Sequence, residues 1–232
     1  MFGKKQFGVL AAVAVAGLAM LSAGNAQANL IQNGDFSANA GSFATFPGYC
    51  GAGSNAGSPL DWANNNGNSG INGPGTGGWG EPFSPSTAPS FDFAFLQVNS
   101  SSNVGTALYT YFNVTPGQNY TVTYMDAARS GDTGTLYTSV ENGGIGSPVM
   151  ASNTTTPSDT AFQQESFNYT AGTSTQDAII FQNTGNGSTD STVDFSEVVI
   201  APASSVPEPA TIGLMAMAGL GLLITGRKRA VR

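Results

Sequence analysis

Thr106 to Ala127 reads TALYTYFNVTPGQNYTVTYMDA. Its two arms are rich in Val, Thr, Tyr and Phe, residues that suit a pleated, half-buried surface, and both arms alternate in polarity. Between them stands Thr115-Pro116-Gly117-Gln118, where proline presets one turn dihedral and glycine accepts a positive one. The stretch therefore predicts two strands, Thr106–Val114 and Tyr120–Ala127, joined by a tight turn. The same pattern recurs along the chain at Phe91–Val98, Thr135–Glu141, Phe162–Thr170, Ala178–Asn183 and Thr192–Ile200, with SGDTG, NGGIGSP and NTGNGS as turns. Short strands at this spacing predict an all-β fold, a single jelly-roll-type β-sandwich. A further strand around Asn29–Gln32 brings the expected number to about eight.

Between residues 41 and 89 the composition shifts to Gly, Ser, Asn and Pro, with NNNGNSGINGPGTGGWG as its extreme. Such a stretch buries little apolar surface and is expected to be a long irregular loop region. It contains Trp62 and Trp79, the candidate glycan contacts. Exposed, they would stack on sugar rings; the competing reading folds each back to plug an end of the sandwich. The segment also holds Cys50, the single cysteine, read as a free thiol or an intermolecular bridge. Histidine is absent, which excludes Ser-His and Cys-His catalysis and His-ligated zinc.

The two ends are of another kind. Residues 1–28 carry Lys4 and Lys5, an apolar run from Phe7 to Leu21 and the small residues Ala26-Gln27-Ala28. This order is that of a secretory signal peptide, cleaved between Ala28 and Asn29. Near the C-terminus, Ala210 to Thr225 has no charged side chain. As a helix it spans about 24 Å, slightly short of a bilayer core of about 30 Å. Arg227, Lys228 and Arg229 follow it, and by snorkelling they extend its reach and hold the C-terminus on the cytoplasmic side. A transmembrane helix over 210–225 is expected, preceded by Pro207, Glu208 and Pro209 in an extended, exposed strip.

With both ends removed, residues 29–203 form one domain, with 204–232 as a separate tail. Arg129 is the one basic residue left, against thirteen acids once Glu208 is set aside, for a net charge of about −12. Arg129 alone remains to neutralise phosphates, so nucleic acid is excluded as a partner. Arg129 is expected to pair with Asp126 or Asp132. Strand acids such as Asp126, Glu165 and Asp194 are expected to face solvent or a turn, which leaves a glycoside hydrolase, with its two facing carboxylates, the weakest functional reading.

Pro207-Glu208-Pro209, a short apolar helix and an Arg-rich tail, in that order, resemble the PEP-CTERM sorting signal of exported Gram-negative proteins. The resemblance implies an inner-membrane-anchored precursor cut by exosortase, an integral-membrane cysteine protease, and delivered to the cell surface or extracellular matrix. It makes Pro207, Glu208 and Pro209 substrate residues. A second resemblance lies in NLIQNGDFS at the mature start, VTPGQNYTVTY (Val114 to Tyr124) and TVDFSEVVI near the end. These look like the first, central and last strands of galactose-binding-like sandwiches, the fold of many carbohydrate-binding modules. That likeness implies a structural calcium between first and last strands, carried here by Asp35 and Glu197 with Asp194 nearby. Ser196 stands where the family commonly has a second Asp. No cofactor is otherwise implied. The expected function is that of an exported, non-catalytic surface or matrix protein with glycan binding or adhesion; the alternative is a structural coat protein without a specific ligand.

Overall fold

The computed structural model describes residues 28–39, 48–51, 59–66, 68–73, 90–98, 105–158, 161–185 and 191–203. The signal peptide, Trp79, the sorting strip Pro207-Glu208-Pro209, the apolar run 210–225 and the basic cluster lie outside them.

Among the described residues eleven strands occur in order: β1 (Gly48–Gly51), β2 (Ala63–Asn66), β3 (Asn68–Asn72), β4 (Phe93–Val98), β5 (Thr106–Asn113), β6 (Asn119–Ala128), β7 (Leu136–Asn142), β8 (Val149–Thr155), β9 (Gln163–Thr170), β10 (Gln176–Asn183) and β11 (Ser191–Pro202). They form a six-stranded sheet, β1-β3-β4-β11-β6-β9, and a five-stranded sheet, β2-β5-β10-β7-β8. Every pairing is antiparallel. The all-β sandwich expected from the sequence is thus the architecture found. The TPGQ turn does not fold β5 and β6 into a hairpin; it carries the chain from one sheet to the other.

Alternation places the core. On β10, Ile179 and Phe181 point between the sheets, as do Leu108 and Phe112 of β5, Val122 and Tyr124 of β6, and Phe195, Val198 and Ile200 of β11. Phe181 and Phe195 meet across the gap as stacked rings with centroids 4.1 Å apart. Aromatic pairs of this kind join the two sheets through dispersion as well as area removed from water.

Three expectations need correction. The 41–89 segment is not simply a loop, because β1, β2 and β3 lie within it, and Cys50 occupies a strand position opposite Ser69. Their Gly- and Asn-rich sequences have little strand propensity of their own; pairing with β4 and β5 supplies it. Residues 29–32 are not a strand but the start of a turn that leads to a single 3-10 turn at Ser37–Asn39. Finally, Val149–Thr155 is an additional edge strand.

Candidate functional site

The outer face of the five-stranded sheet carries the most distinctive surface chemistry. Because Leu108 and Phe112 face inward, Tyr109 and Tyr111 between them face outward. The register sets three cross-strand rows over this face: Tyr111–Ala178–Glu141, Tyr109–Ile180–Ser139 and Ala107–Gln182–Tyr137. Tyr111 is 46% exposed, whereas Ala178, Ile180 and Ser139 beside it are buried. Small or sunken residues thus make a floor, with Tyr109 and Tyr111 standing on one side and Tyr137 on the other. Tyr109 and Tyr111 meet edge to face, ring centroids 5.8 Å apart. The β7–β8 connection leans on the pair, since a Cβ built on Gly144 would lie 3.3 Å from Tyr111 Cε1. Exposed tyrosine rings offer apolar faces with a hydroxyl at the tip, and Gln182 and Glu141 add hydrogen-bonding groups alongside. Such a surface is suited to stacking against a flat ligand while bonding to its hydroxyls.

Trp62, a candidate glycan contact on the sequence, is not on any surface. It is 4% exposed and packs in the core against Phe36, Phe195 and Phe181, with ring centroids 5.3, 5.7 and 6.0 Å away. Its Nε1 donates to Asn33 O at 3.1 Å, and Asn33 Nδ2 donates to Leu60 O at 2.9 Å. The indole therefore closes one side of the sandwich, and the polar loop around it serves to deliver it inward. Its role as a sugar platform is ruled out by burial.

Asp35 and Glu197, the expected calcium pair, do line one cleft of about 290 Å³, together with Asn29, Asn33 and Val198. Several groups there are engaged in hydrogen bonds. Asn29 Oδ1 accepts from Ile31 N and Ile200 N, both at 3.0 Å, and Asn33 Oδ1 accepts from Ala38 N at 3.1 Å. Asp35 accepts from Ser37 N and Oγ. Calcium takes six to eight oxygens. Among the described residues no three acidic side chains gather to begin such a shell. The bonds of the cleft clasp the N-terminal segment to β11. Val198 N donates to Gly34 O at 3.0 Å, and a Cβ on Gly34 would come within 2.2 Å of Val198 O, so only glycine permits the approach. Glu197 occupies a left-handed conformation, φ 51°, at the bulge between Ser196 and Val199.

Arg129 pairs with Asp132 at 2.8 Å, and Asp132 also accepts from Thr192 N, which ties the β6–β7 turn to β11. Asp126 is 1% exposed and does not face solvent, contrary to the expectation for strand acids. Its Oδ2 accepts from Thr155 Oγ1 at 2.6 Å. Burial, with Glu165 nearby, pushes its carboxyl up to about 6, against the bond from Thr155. Burial also raises the Tyr124 hydroxyl to about 12. Asn153 Nδ2 donates to Tyr124 Oη and to Glu165 Oε2. This polar cluster joins β6 and β9 to β8 across the sandwich.

Residues 205–230 match the family model of the PEP-CTERM protein-sorting motif. The motif marks the chain as an exported, membrane-anchored precursor, processed by exosortase to a cell-surface or extracellular protein. No curated protein matches the chain. Among solved structures, a family 4 carbohydrate-binding module is similar at 16% identity and TM-score 0.41, over 48% of this chain and 71% of that one. A family 61 module in complex with β-1,4-galactotriose shares 10% identity at TM-score 0.47, over 76% and 99%. An arabinose-bound family 51 α-L-arabinofuranosidase shares 14% at 0.49, over 78% of this chain and 27% of the enzyme. At these identities the likeness is one of fold alone.

Proposed function

We propose that the mature domain is a non-catalytic glycan-binding or adhesive module of the cell surface or extracellular matrix, and that the tyrosine-bearing face of the five-stranded sheet is its binding surface. The observation that carries this is the exposure of Tyr111 beside Tyr109 on a rigid, continuously paired strand. Aromatic rings on a strand cost little ordering entropy when a ligand stacks on them. The net charge of about −12 favours neutral polysaccharide over acidic polymers. A non-catalytic reading suits the interior placement of Asp126, whose 1% exposure keeps it from touching a substrate.

A glycan array with the purified protein tests the reading. It expects selective signals that disappear in Tyr111→Ala, whereas a structural coat protein would give no selective signal with either chain. Sorting is tested separately. Replacing Pro207, Glu208 and Pro209 with alanines leaves a membrane-bound precursor if the strip is the protease's substrate, and normal shortening of that variant would show that it is not.

A further inference from the structure

The tripeptide Asn-Tyr-Thr occurs twice in the chain, as Asn119-Tyr120-Thr121 and as Asn168-Tyr169-Thr170. The fold lays the two copies side by side. β6 and β9 are antiparallel neighbours, and their register pairs Asn119 with Thr170, Tyr120 with Tyr169 and Thr121 with Asn168. The copies are therefore related by a local two-fold axis that passes between the tyrosines. Strand alternation sends both tyrosines inward, where they are buried and their rings stack with centroids 5.4 Å apart. The four Asn and Thr side chains consequently stand on the outer face of the six-stranded sheet.

These four groups bond one another in two matching pairs. Thr121 Oγ1 donates to Asn168 Oδ1 at 2.7 Å, and Thr170 Oγ1 donates to Asn119 Oδ1 at 2.6 Å. Each hydroxyl proton and each amide oxygen is thereby engaged within the sheet. What is left for a ligand is two Nδ2 amino groups as donors and two hydroxyl oxygens as acceptors, held in place by strand pairing. They line a cleft of about 610 Å³ together with Tyr169 and Ala203, and no lining residue is charged. The outer face continues beside it in the rows Asn168–Thr121–Ala201 and Ser166–Thr123–Val199, where the short side chains of β11 keep the floor low.

Fixed donors beside fixed acceptors, without charge, suit a ligand whose own groups both donate and accept. Adjacent hydroxyls of a neutral sugar are such groups, each giving its proton to a threonine oxygen and taking one from an amide. An anion would meet donors but no cation, in a domain of net charge about −12. We infer that this cleft is a second, weak sugar site for the hydroxyl edge of a neutral polysaccharide, and that it makes the domain a cross-linker of glycan chains. The cross-linking rests on the tyrosine-bearing face proposed above as the main binding surface; the cleft itself does not. Both tyrosine rings of the cleft are turned inward, so no aromatic face is offered there, and hydrogen bonds made in competition with water add little each. The cleft therefore binds at about millimolar concentration or weaker and does not retain glycan unaided. It lies on the outside of the six-stranded sheet, the tyrosine face on the outside of the five-stranded one. With the sheets stacked about 10 Å apart, the two sites look in opposite directions and one straight chain does not reach both. A chain held on the tyrosines and a second touching the cleft are joined through the protein, and many such joints along long chains add up by avidity.

Two measurements on the protein in its exported form test the cleft and the cross-linking separately. The cleft is read by NMR on isotope-labelled Tyr111→Ala, titrated with lactose, maltose and cellobiose to about tens of millimolar. The side-chain amide signals of Asn119 and Asn168 are expected to shift saturably with at least one of them. Adding Thr121→Val and Thr170→Val, which keep the β-branched shape, abolishes the shifts, and so does Asn168→Leu at its exposed position. No saturable shift with any of the three sugars overturns the site, as does a shift that persists in both variants. Cross-linking is read as turbidity with soluble galactan, xylan and mixed-linkage glucan. The parent is expected to cloud at least one of them about tenfold more than the double valine variant, which still gives the parent's array signal, and Tyr111→Ala clouds none. Equal clouding by parent and double valine variant, or an array signal without clouding, overturns the cross-linking. A parent with no array signal overturns the tyrosine face and the cross-linking together, while the cleft stands or falls on the titration alone.

Discussion

Two groups of aromatic side chains are built from similar residues and serve opposite ends. Phe36, Trp62, Phe181 and Phe195 come from a turn, a loop and two strands of different sheets, and all are buried. Tyr109 and Tyr111 come from a single strand and face outward. Trp62 sits in the Gly- and Asn-rich surroundings that suggest exposure, yet it closes the core; the tyrosines sit in regular sheet, yet they offer their rings to solvent. Loop or strand is therefore a poor guide to whether an aromatic ring is free. What decides is whether the backbone aims the ring between the sheets, as Trp62 is aimed by its bond to Asn33 O.

If the inner group is structural, its removal should give the largest stability change. Trp62→Ala is expected to cost about 3–5 kcal/mol, through lost transfer free energy and the cavity left behind. A denaturant melt checks this, and a loss below about 1 kcal/mol would place the indole outside the core.

A smaller effect comes from the interior carboxylate. Asp126 is raised to about 6 when folded, above its ordinary value of 3.8, so the folded state holds a proton that the unfolded chain releases. Its contribution is full below about pH 4 and is lost as pH rises through 6, on the order of 2–3 kcal/mol. Asp92 and Asp177 are raised by burial as well and act in the same direction. The domain should therefore melt higher at pH 4.5 than at pH 7, and Asp126→Asn should flatten much of that slope while keeping an acceptor for Thr155 Oγ1. Scans at the two pH values decide it.

On the outer face the expected stability changes shrink. Tyr111→Ala should stay within about 0.5 kcal/mol, as surface substitutions usually do. Calcium should do less still. Millimolar calcium against chelator is expected to leave the melting temperature unchanged, because a ligand stabilises only by binding the native state, and among the described residues no three acidic side chains gather at the Asp35–Glu197 cleft.

Much of the sandwich is legible in the sequence where side-chain pattern and burial agree. The strands β5 and β6 announce themselves through alternation and the TPGQ turn between them, and β7, β10 and β11 do so through Val, Ile, Phe and Tyr. That β5 and β6 belong to different sheets is decided by their partners, β10 and β11, far along the chain. In the same way β1–β3 owe their conformation to neighbours, which no local pattern reports. On β8, VMASNTT is partly exposed on both faces of an edge and has no clean alternation. The tyrosine face is visible only halfway. In LYTYF both sets of alternate residues, Leu108 and Phe112 or Tyr109 and Tyr111, are able to face a core, and the choice is made by Ile179 and Phe181 across the ladder. Asp35 and Glu197 do lie together in space, as the strand motifs imply, but the bonds that engage the groups around them belong to tertiary structure alone.

The division between an inner aromatic group that stabilises and an outer one that binds is tested most directly by measuring glycan retention and thermal melting on two variants side by side, Trp62→Phe and Tyr111→Ala. Trp62→Phe is expected to melt earlier and to retain glycan normally below its melting point, while Tyr111→Ala melts like the parent and no longer retains glycan. Retention undiminished in Tyr111→Ala, or lost in a still-folded Trp62→Phe, would contradict that division.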